Sequence, residues 1–258
     1  MNDILTFLNS HVSVRQFTGK PIPDQDETLI LTTAQRSPTS SNLQAYSIVS
    51  IRDQAKKDRL SKLTGNQAHV AQCSLFLVFC ADLYRLSLLN AKREYPFYGE
   101  FVEAMLVATV DTALVADRAL EAAQALGYGG VMVGSIRNFP QEVCELLELP
   151  ELVFPVMGMS LGEPASKGKV KPRLPLQAIN FKETYKPEQI PPAIEEYDRM
   201  IDEVGHLKGR EVSPDKYPDF DGNYTWSEHT ARRMASDAPL TLRPHMMEFL
   251  QKRGFMLK

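Results

Sequence analysis

Two glycine-rich segments carry residue types that cradle phosphate groups in nucleotide-binding proteins. Gly127 and Gly129 begin like a dinucleotide fingerprint, but Met132 stands where the third glycine belongs, and the run leads into an apolar strand instead of a helix. Residues 162–169 are similar to a P-loop, yet their two glycines are one residue too far apart, and Val170 replaces the hydroxyl residue that binds magnesium. The spacing therefore argues against a Rossmann site and against a nucleoside triphosphatase.

The other common catalytic signatures are missing from the sequence. It contains no HExxH, no nucleophile elbow GxSxG and no HxE followed by CxxC. Cys73, Cys80 and Cys144 are an odd number of cysteines, without CxxC spacing or a histidine at a zinc-ligand interval. We interpret them as reduced thiols and expect no metal site. The chemistry is therefore expected to come from a bound cofactor.

The elements that must position such a cofactor follow from the periodicity of apolar residues. The pattern alternates helices and strands, and the longest helix is rich in alanine and ends at Gly127, a typical C-cap residue. Strands are predicted at residues 46–51, 74–80, 128–135 and 155–162. Helices are predicted at residues 2–9, 24–36, 54–63, 101–126, 139–147, 193–205 and 226–253.

Two segments are predicted to lack regular structure. Residues 163–192 combine prolines with a basic cluster, which is typical of an extended connector. Residues 206–224 contain Pro214, Pro218 and Gly222 and are expected to form a mobile loop. We treat residues 1–258 as a single domain that includes both segments.

The composition of the whole chain argues against several classes of protein. With 258 residues, of which 43% are hydrophobic, the chain can bury a full core. A formal net charge of -3 suggests neither a nucleic-acid-binding nor a membrane-binding surface. Charged side chains interrupt the longest apolar region, residues 101–126, and the first residues lack the features of a signal peptide. We expect a cytoplasmic protein whose mature form begins at Met1.

Five ordered segments contain recognisable motifs: residues 11–17 (HVSVRQF), 37–44 (SPTSSNLQ), 64–70 (TGNQAHV), 126–138 (LGYGGVMVGSIRN) and 171–175 (KPRLP). Together they resemble motifs of the nitroreductase superfamily, and in particular of its branch of oxygen-insensitive NADPH nitroreductases and FMN reductases. The resemblance spans about residues 5–176, with a looser match at 225–229 and 242–244. Ser135 departs from the branch, which has a second glycine there, and the arginine expected just before Trp226 is missing.

The resemblance implies roles for particular residues. Arginine and lysine suit the FMN phosphate, and glycine permits close approach of backbone to the flavin ring. The residues implied to bind FMN are His11, Ser13, Arg15, Thr39, Ser40, Ser41, Gln67, His69, Met132, Val133, Gly134, Ser135, Lys171 and Arg173. Those implied to face the substrate or NADPH are Asn42, Arg137 and Arg243. Alternatives stay open: a solvated Arg15, a buried core histidine at His69, and a helix-capping Arg243.

The resemblance also implies the fold and the activity. The expected fold is α+β, with a central, mostly antiparallel sheet flanked by helices and FMN at the interface of a homodimer. The expected enzyme is an NADPH-dependent, FMN-containing nitroreductase or flavin reductase. The flavin carries the chemistry, so no side chain is assigned as catalytic, and NADH is the other possible reductant. Nitroaromatics, quinones and flavins are the expected acceptors. The alternatives are an azo, quinone or flavin reductase of the same family, a non-catalytic flavin-binding protein, and a cofactor-free interaction protein.

Overall fold

The computed structural model describes residues 3–166, 168–210, 212, 220, 222, 224–235, 242–255 and 258. Their helices and strands, in chain order, are α1 (Asp3–Asn9), α2 (Asp24–Ala34), β1 (Tyr46–Ile51), α3 (Gln54–Leu63), α4 (Ala68–Gln72), β2 (Leu75–Asp82), α5 (Tyr84–Arg93), α6 (Val102–Ala125), β3 (Gly129–Val133), α7 (Pro140–Leu146), β4 (Val153–Gly162), α8 (Ile190–Glu203), α9 (Trp226–Ala235) and α10 (Met246–Lys252). Short 3-10 turns lie at Ser40–Asn42, Gly134–Arg137, Leu176–Ala178 and Pro187–Gln189.

The four strands form one sheet in the order β1-β2-β4-β3, and every pairing is antiparallel. This confirms the predicted α+β class and the antiparallel sheet. All eight residues of β2 are buried because this strand is central and both of its faces are covered. Leu77 and Phe79 pack toward α2 and α6, whereas Phe76 and Val78 pack toward α3, α4 and α7. Helices on both faces of the sheet therefore enclose two core layers.

Helix α6 is the longest element and supports one face of the sheet. Its alanine-rich buried side allows close packing, and the helix ends where Gly127 takes a left-handed φ of 88°. The opposite side has a row of exposed apolar residues at every fourth position: Val102, Leu106, Val110 and Leu114. A helix with two apolar faces needs a second covering surface.

The chain divides into two compact units. The first comprises Met1–Gly168 and Arg243–Lys258 and contains the sheet, and the second comprises Lys169–Leu242. In the first unit, Phe249 and Leu250 of α10 pack in a core cluster with strand residues. In the second unit, Tyr197 of α8 stacks edge-on against Trp226 of α9, with ring centroids 5.0 Å apart. The boundary between residues 168 and 169 falls inside the predicted connector 163–192.

The prediction of one continuous helix over residues 226–253 is wrong. Helix α9 ends at Ala235 and α10 begins at Met246. Pro244 has no backbone N–H and disfavours right-handed helical geometry in the residue before it. Arg243 has a left-handed φ of 51°, which also interrupts the helix. Helices α4 and α5 were not predicted, and α8 begins three residues before its predicted start. Most of the predicted mobile loop 206–224, including Pro214 and Pro218, lies outside the described residues.

No helix in the described part of the chain is both long enough and apolar enough to cross a membrane.

Candidate functional site

Glycines in β3 bring the segment 11–17 against the edge of the sheet. Ser13 forms a parallel bridge with Gly130, and the Val14 N–H donates to the Gly130 carbonyl at 2.9 Å. A Cβ on Gly129 would lie 2.6 Å from Val14 Cγ2, which is closer than real contacts allow. The absence of side chains at these glycines therefore allows the segment 11–17 to pack against β3. This packing places the exposed residues Ser13 and Arg15 beside β3.

A hydrogen bond joins Gln67 to the turn after β3. The Gln67 side-chain amide donates to the Thr64 carbonyl at 3.0 Å and to Ser135 Oγ at 2.6 Å. A carbonyl can only accept, so the bond to Thr64 fixes which end of the amide is nitrogen. Both amide hydrogens are thereby used, and Oε1 of Gln67 is left to accept a hydrogen bond. The Ser135 hydroxyl still has its own hydrogen to donate.

His69 is buried against β4, the strand next to β3. Its Nδ1 lies 3.0 Å from Ser160 Oγ, within hydrogen-bond distance. Burial lowers the pKa of His69, and the positive charge of Arg15 lowers it further. The imidazole is therefore neutral near pH 7, and Arg15 lies close enough to act on it. A buried, hydrogen-bonded ring matches the core-histidine alternative, and contact with a cofactor stays a prediction.

The loop after α2 has an unusual backbone. Thr39 is extended, whereas Ser41, Asn42 and Gln44 have left-handed φ values of 48°, 56° and 54°. Such a conformation costs roughly 1–2 kcal/mol for a residue with a Cβ atom. The buried carboxylate of Asp111 on α6 accepts hydrogen bonds from this loop. Ser40, Ser41 and Asn42 are exposed.

The two predicted NADPH arginines belong to one cluster in the first unit. Arg243 Nε donates to Asn138 Oδ1 at 2.9 Å, and His245 Nε2 lies 3.3 Å from the Arg137 carbonyl. The guanidinium of Arg137 is half-buried and donates to the Val156 carbonyl. Residues 137–138 and 243–245 are thus brought together although they are distant in sequence.

Three other predicted ligands have hydrogen-bonding partners within their own units. His11 is half-buried, with Nδ1 3.0 Å from the side-chain amide of Gln124 on α6. Lys171 and Arg173 belong to the second unit. There, Lys171 Nζ lies 3.0 Å from His206 Nε2, and exposed Arg173 donates to the Lys171 carbonyl at 3.1 Å. The grouping of Arg15 with Lys171 and Arg173 stays a prediction.

Sequence reasoning missed three residues that support these groups. Ser160 contacts His69, Asn138 accepts from Arg243, and Asp111 on α6 is 1% exposed. Asp111 did carry a signal, because a carboxylate within the apolar pattern of a core helix indicates a buried charge with a specific partner. Asn138 is the last residue of the matched motif 126–138, although no role was assigned to it, and Ser160 carried no signal because small polar residues are common in strands. Among the residues described, no group of histidine, cysteine and carboxylate side chains could hold a metal ion.

Comparison with known proteins gives matches along the whole chain. The model of the "Nitroreductase family" matches residues 8–163, and that of the "Nitroreductase family, C-terminal domain" matches residues 171–258. The chain is 33% identical to the "FMN reductase [NAD(P)H]" of Bacillus subtilis, with 100% of both chains covered. It is 36% identical to the "Oxygen-insensitive NADPH nitroreductase" of Salmonella typhimurium, with 99% of both covered. The solved structure of NfrA2 from B. megaterium superposes with a TM-score of 0.89 at 33% identity, over 100% of both chains.

Proposed function

The chain belongs to the nitroreductase family, and we propose that it is an FMN-dependent NAD(P)H oxidoreductase that reduces nitroaromatic compounds and other small acceptors by two electrons. The observation that carries the proposal is similarity over the full length to an FMN reductase and to an NADPH nitroreductase. The predicted membership of this branch is thereby confirmed. The range of acceptors, the preference for NADPH and the cytoplasmic location are parts of the proposal.

The donor set in the first unit fits the polar parts of FMN. Ser13 and Arg15 offer a hydroxyl and a cation for the phosphate, and both are exposed at the edge of β3. Gln67 offers an acceptor and Ser135 a hydroxyl donor, which complement the hydrogen-bonding edge of a flavin. When bound, FMN supplies hydride and electron transfer.

The roles of the side chains follow from their chemistry. Arg15, Lys171 and Arg173 are proposed to bind the phosphate, as their motifs indicate. His69 is neutral near pH 7 and so adds no charge beside the flavin. The remaining proposed contacts to FMN are His11, Thr39, Ser40, Ser41, Met132, Val133 and Gly134. The proposed contacts to NADPH and to the acceptor are Asn42, Arg137 and Arg243. We further propose that both units belong to one FMN-binding domain.

A homodimer is proposed on the basis of α6. Four apolar residues form an exposed row along this helix: Val102, Leu106, Val110 and Leu114. Each of them is 40% to 55% exposed, which is unusual for apolar side chains spaced along one helix. A symmetric partner could cover this row with the same row of its own helix. Burial of these side chains would supply hydrophobic stabilisation in proportion to the area covered.

The test is an absorbance spectrum of the purified protein before and after addition of NADPH without oxygen. The enzyme should carry a yellow flavin whose visible absorbance is lost on addition of NADPH and restored by a nitroaromatic acceptor. A protein that holds flavin but is not bleached by NADPH or NADH would be a non-catalytic flavin-binding protein. A colourless protein that takes up no added FMN would refute the cofactor itself. Steady-state rates with nitroaromatics, quinones and free flavins would then rank the acceptors.

A further inference from the structure

Asp111 connects the middle of α6 to the loop at residues 40–45. The side chain is 1% exposed, and each carboxylate oxygen accepts a backbone hydrogen bond. Oδ1 accepts from the Ser40 N–H at 2.9 Å, and Oδ2 accepts from the Ala45 N–H at 3.1 Å. A buried charge is costly unless hydrogen bonds compensate it, so the carboxylate and the two amides require each other. One side chain thus holds both ends of a short loop.

Between these two anchors the backbone takes a conformation that its residues disfavour. Ser41, Asn42 and Gln44 have positive φ without being glycine. Strain of this kind persists only where surrounding contacts impose it. Arg85 of α5 adds a third anchor, because its guanidinium donates to the Gln44 carbonyl at 3.1 Å. The shape of the loop therefore depends on its contacts with α5 and α6 as well as on the turn hydrogen bonds within it, such as that from the Leu43 N–H to the Ser40 carbonyl at 2.9 Å.

We propose that Asp111 is a positioning residue that holds residues 40–45 in the shape that binds FMN. The inference rests on the proposed function, in which the exposed residues Ser40 and Ser41 contact the cofactor. A carboxylate suits this position because the two N–H donors need two acceptors. Asparagine at position 111 would offer one acceptor and one donor, so that one of the two amides would face another donor.

The test compares Asp111→Asn with Thr112→Val. Thr112 is the matched control because it is the next residue on α6 and is fully buried, while its hydroxyl bonds to the carbonyls of Ala108 and Cys80. Two measurements are made on each full-length variant: hydrogen–deuterium exchange of the amides of Ser40 and Ala45 without cofactor, and the Kd for added FMN. Asp111→Asn should speed exchange at both amides and raise the Kd about tenfold, as expected for loss of a hydrogen bond to a charged group. Thr112→Val should leave the exchange rates and the Kd for FMN within about twofold of those of the unmodified protein.

A rescue variant separates positioning from general loss of stability. Gln44→Gly removes the Cβ penalty at a left-handed position, so Asp111→Asn/Gln44→Gly should regain part of the FMN affinity. A merely structural defect in α6 would not respond to a change in the loop. If Asp111→Asn does not fold, hydrogen–deuterium exchange in the unmodified protein is the test. The amides of Ser40 and Ala45 should exchange much more slowly than the amide of Ser41. Equal exchange rates would refute the inference.

The outcomes distinguish this inference from the proposed function. A parent that binds no FMN would overturn the proposed function and the cofactor role of the loop. A parent that binds FMN, together with an Asp111→Asn variant of unchanged Kd, would overturn only the role of Asp111. Faster exchange with unchanged FMN affinity would also overturn it, since the loop would then be held for a reason other than binding.

Discussion

The hydrogen bond between Gln67 and Ser135 leads to a quantitative prediction for Ser135→Ala. The bond is 2.6 Å long and half-buried, and it joins two uncharged groups. Loss of such a bond costs about 0.5–1.5 kcal/mol. The Gln67 amide would keep its bond to the Thr64 carbonyl but lose the contact that sets its rotation. We expect FMN binding to weaken by about fivefold, the equivalent of about 1 kcal/mol.

The assay is a double-mutant cycle. Ser135→Ala, Gln67→Ala and the double variant are unfolded with urea without cofactor and titrated with FMN. The coupling energy between the two sites should be about 1 kcal/mol, because only the parent contains the bond. Ser87→Ala is the control: it removes an exposed hydroxyl that bonds to the Tyr84 carbonyl on α5, and it should leave FMN binding unchanged. A coupling energy near zero, with unchanged FMN affinity in Ser135→Ala, would refute the reasoning.

Four other predictions test the remaining parts of the site. Arg173→Ala should weaken FMN binding about tenfold or more, since a charged hydrogen bond is worth roughly 1.5–3 kcal/mol; unchanged affinity in a fluorescence titration would remove this residue from the phosphate site. Val110→Lys should give a monomer in sedimentation that retains less flavin, and a parent that is monomeric while fully loaded would contradict the dimer. Arg243→Ala should lower the ratio of specificity constants for NADPH over NADH, and a parent that prefers NADH would contradict the assignment. The pKa of His69 is lowered from its usual 6.5, so the folded state takes up a proton less readily than the unfolded chain. His69 therefore makes its full contribution to the unfolding free energy above about pH 6.5, and this contribution decreases as the pH falls below that value. In urea titrations, His69→Gln should lose less stability than the parent as the pH is lowered. An identical pH dependence in the two proteins would show that His69 makes no such contribution.

The sequence by itself determined the elements whose patterns are local. The predicted bounds of β1 and α3 agree with the structure, and those of α6 differ by one residue at each end. The reason is that a period of two or 3.6 residues, a C-cap glycine and a run of strand-forming residues all act over short distances. The family could also be identified from motifs, because each motif is a short run of neighbouring residues.

Local patterns were misinterpreted at two short or exposed helices and at one break between helices. Helices α4 and α5 were missed: α4 has only five residues, too few to show a period, and α5 has no buried residue although its sequence is amphipathic. The opposite error occurred at residues 226–253, which were assigned to one helix although Pro244 interrupts it. The glycines of β3 were attributed to the cofactor, and the structure shows that Val14 also needs the space at Gly129.

Only the tertiary structure decided how the site is supported. The Gln67–Ser135, Asp111–Ser40 and Arg243–Asn138 pairs join residues that are 68, 71 and 105 positions apart. A sequence states which residues can donate, accept or carry charge, but their partners depend on which elements pack together. A carboxylate in an apolar helix indicates a buried charge. Only the fold shows that this charge holds a strained loop, because both of its hydrogen bonds go to backbone amides. Every residue except proline has such an amide, so the sequence does not indicate which ones are the partners.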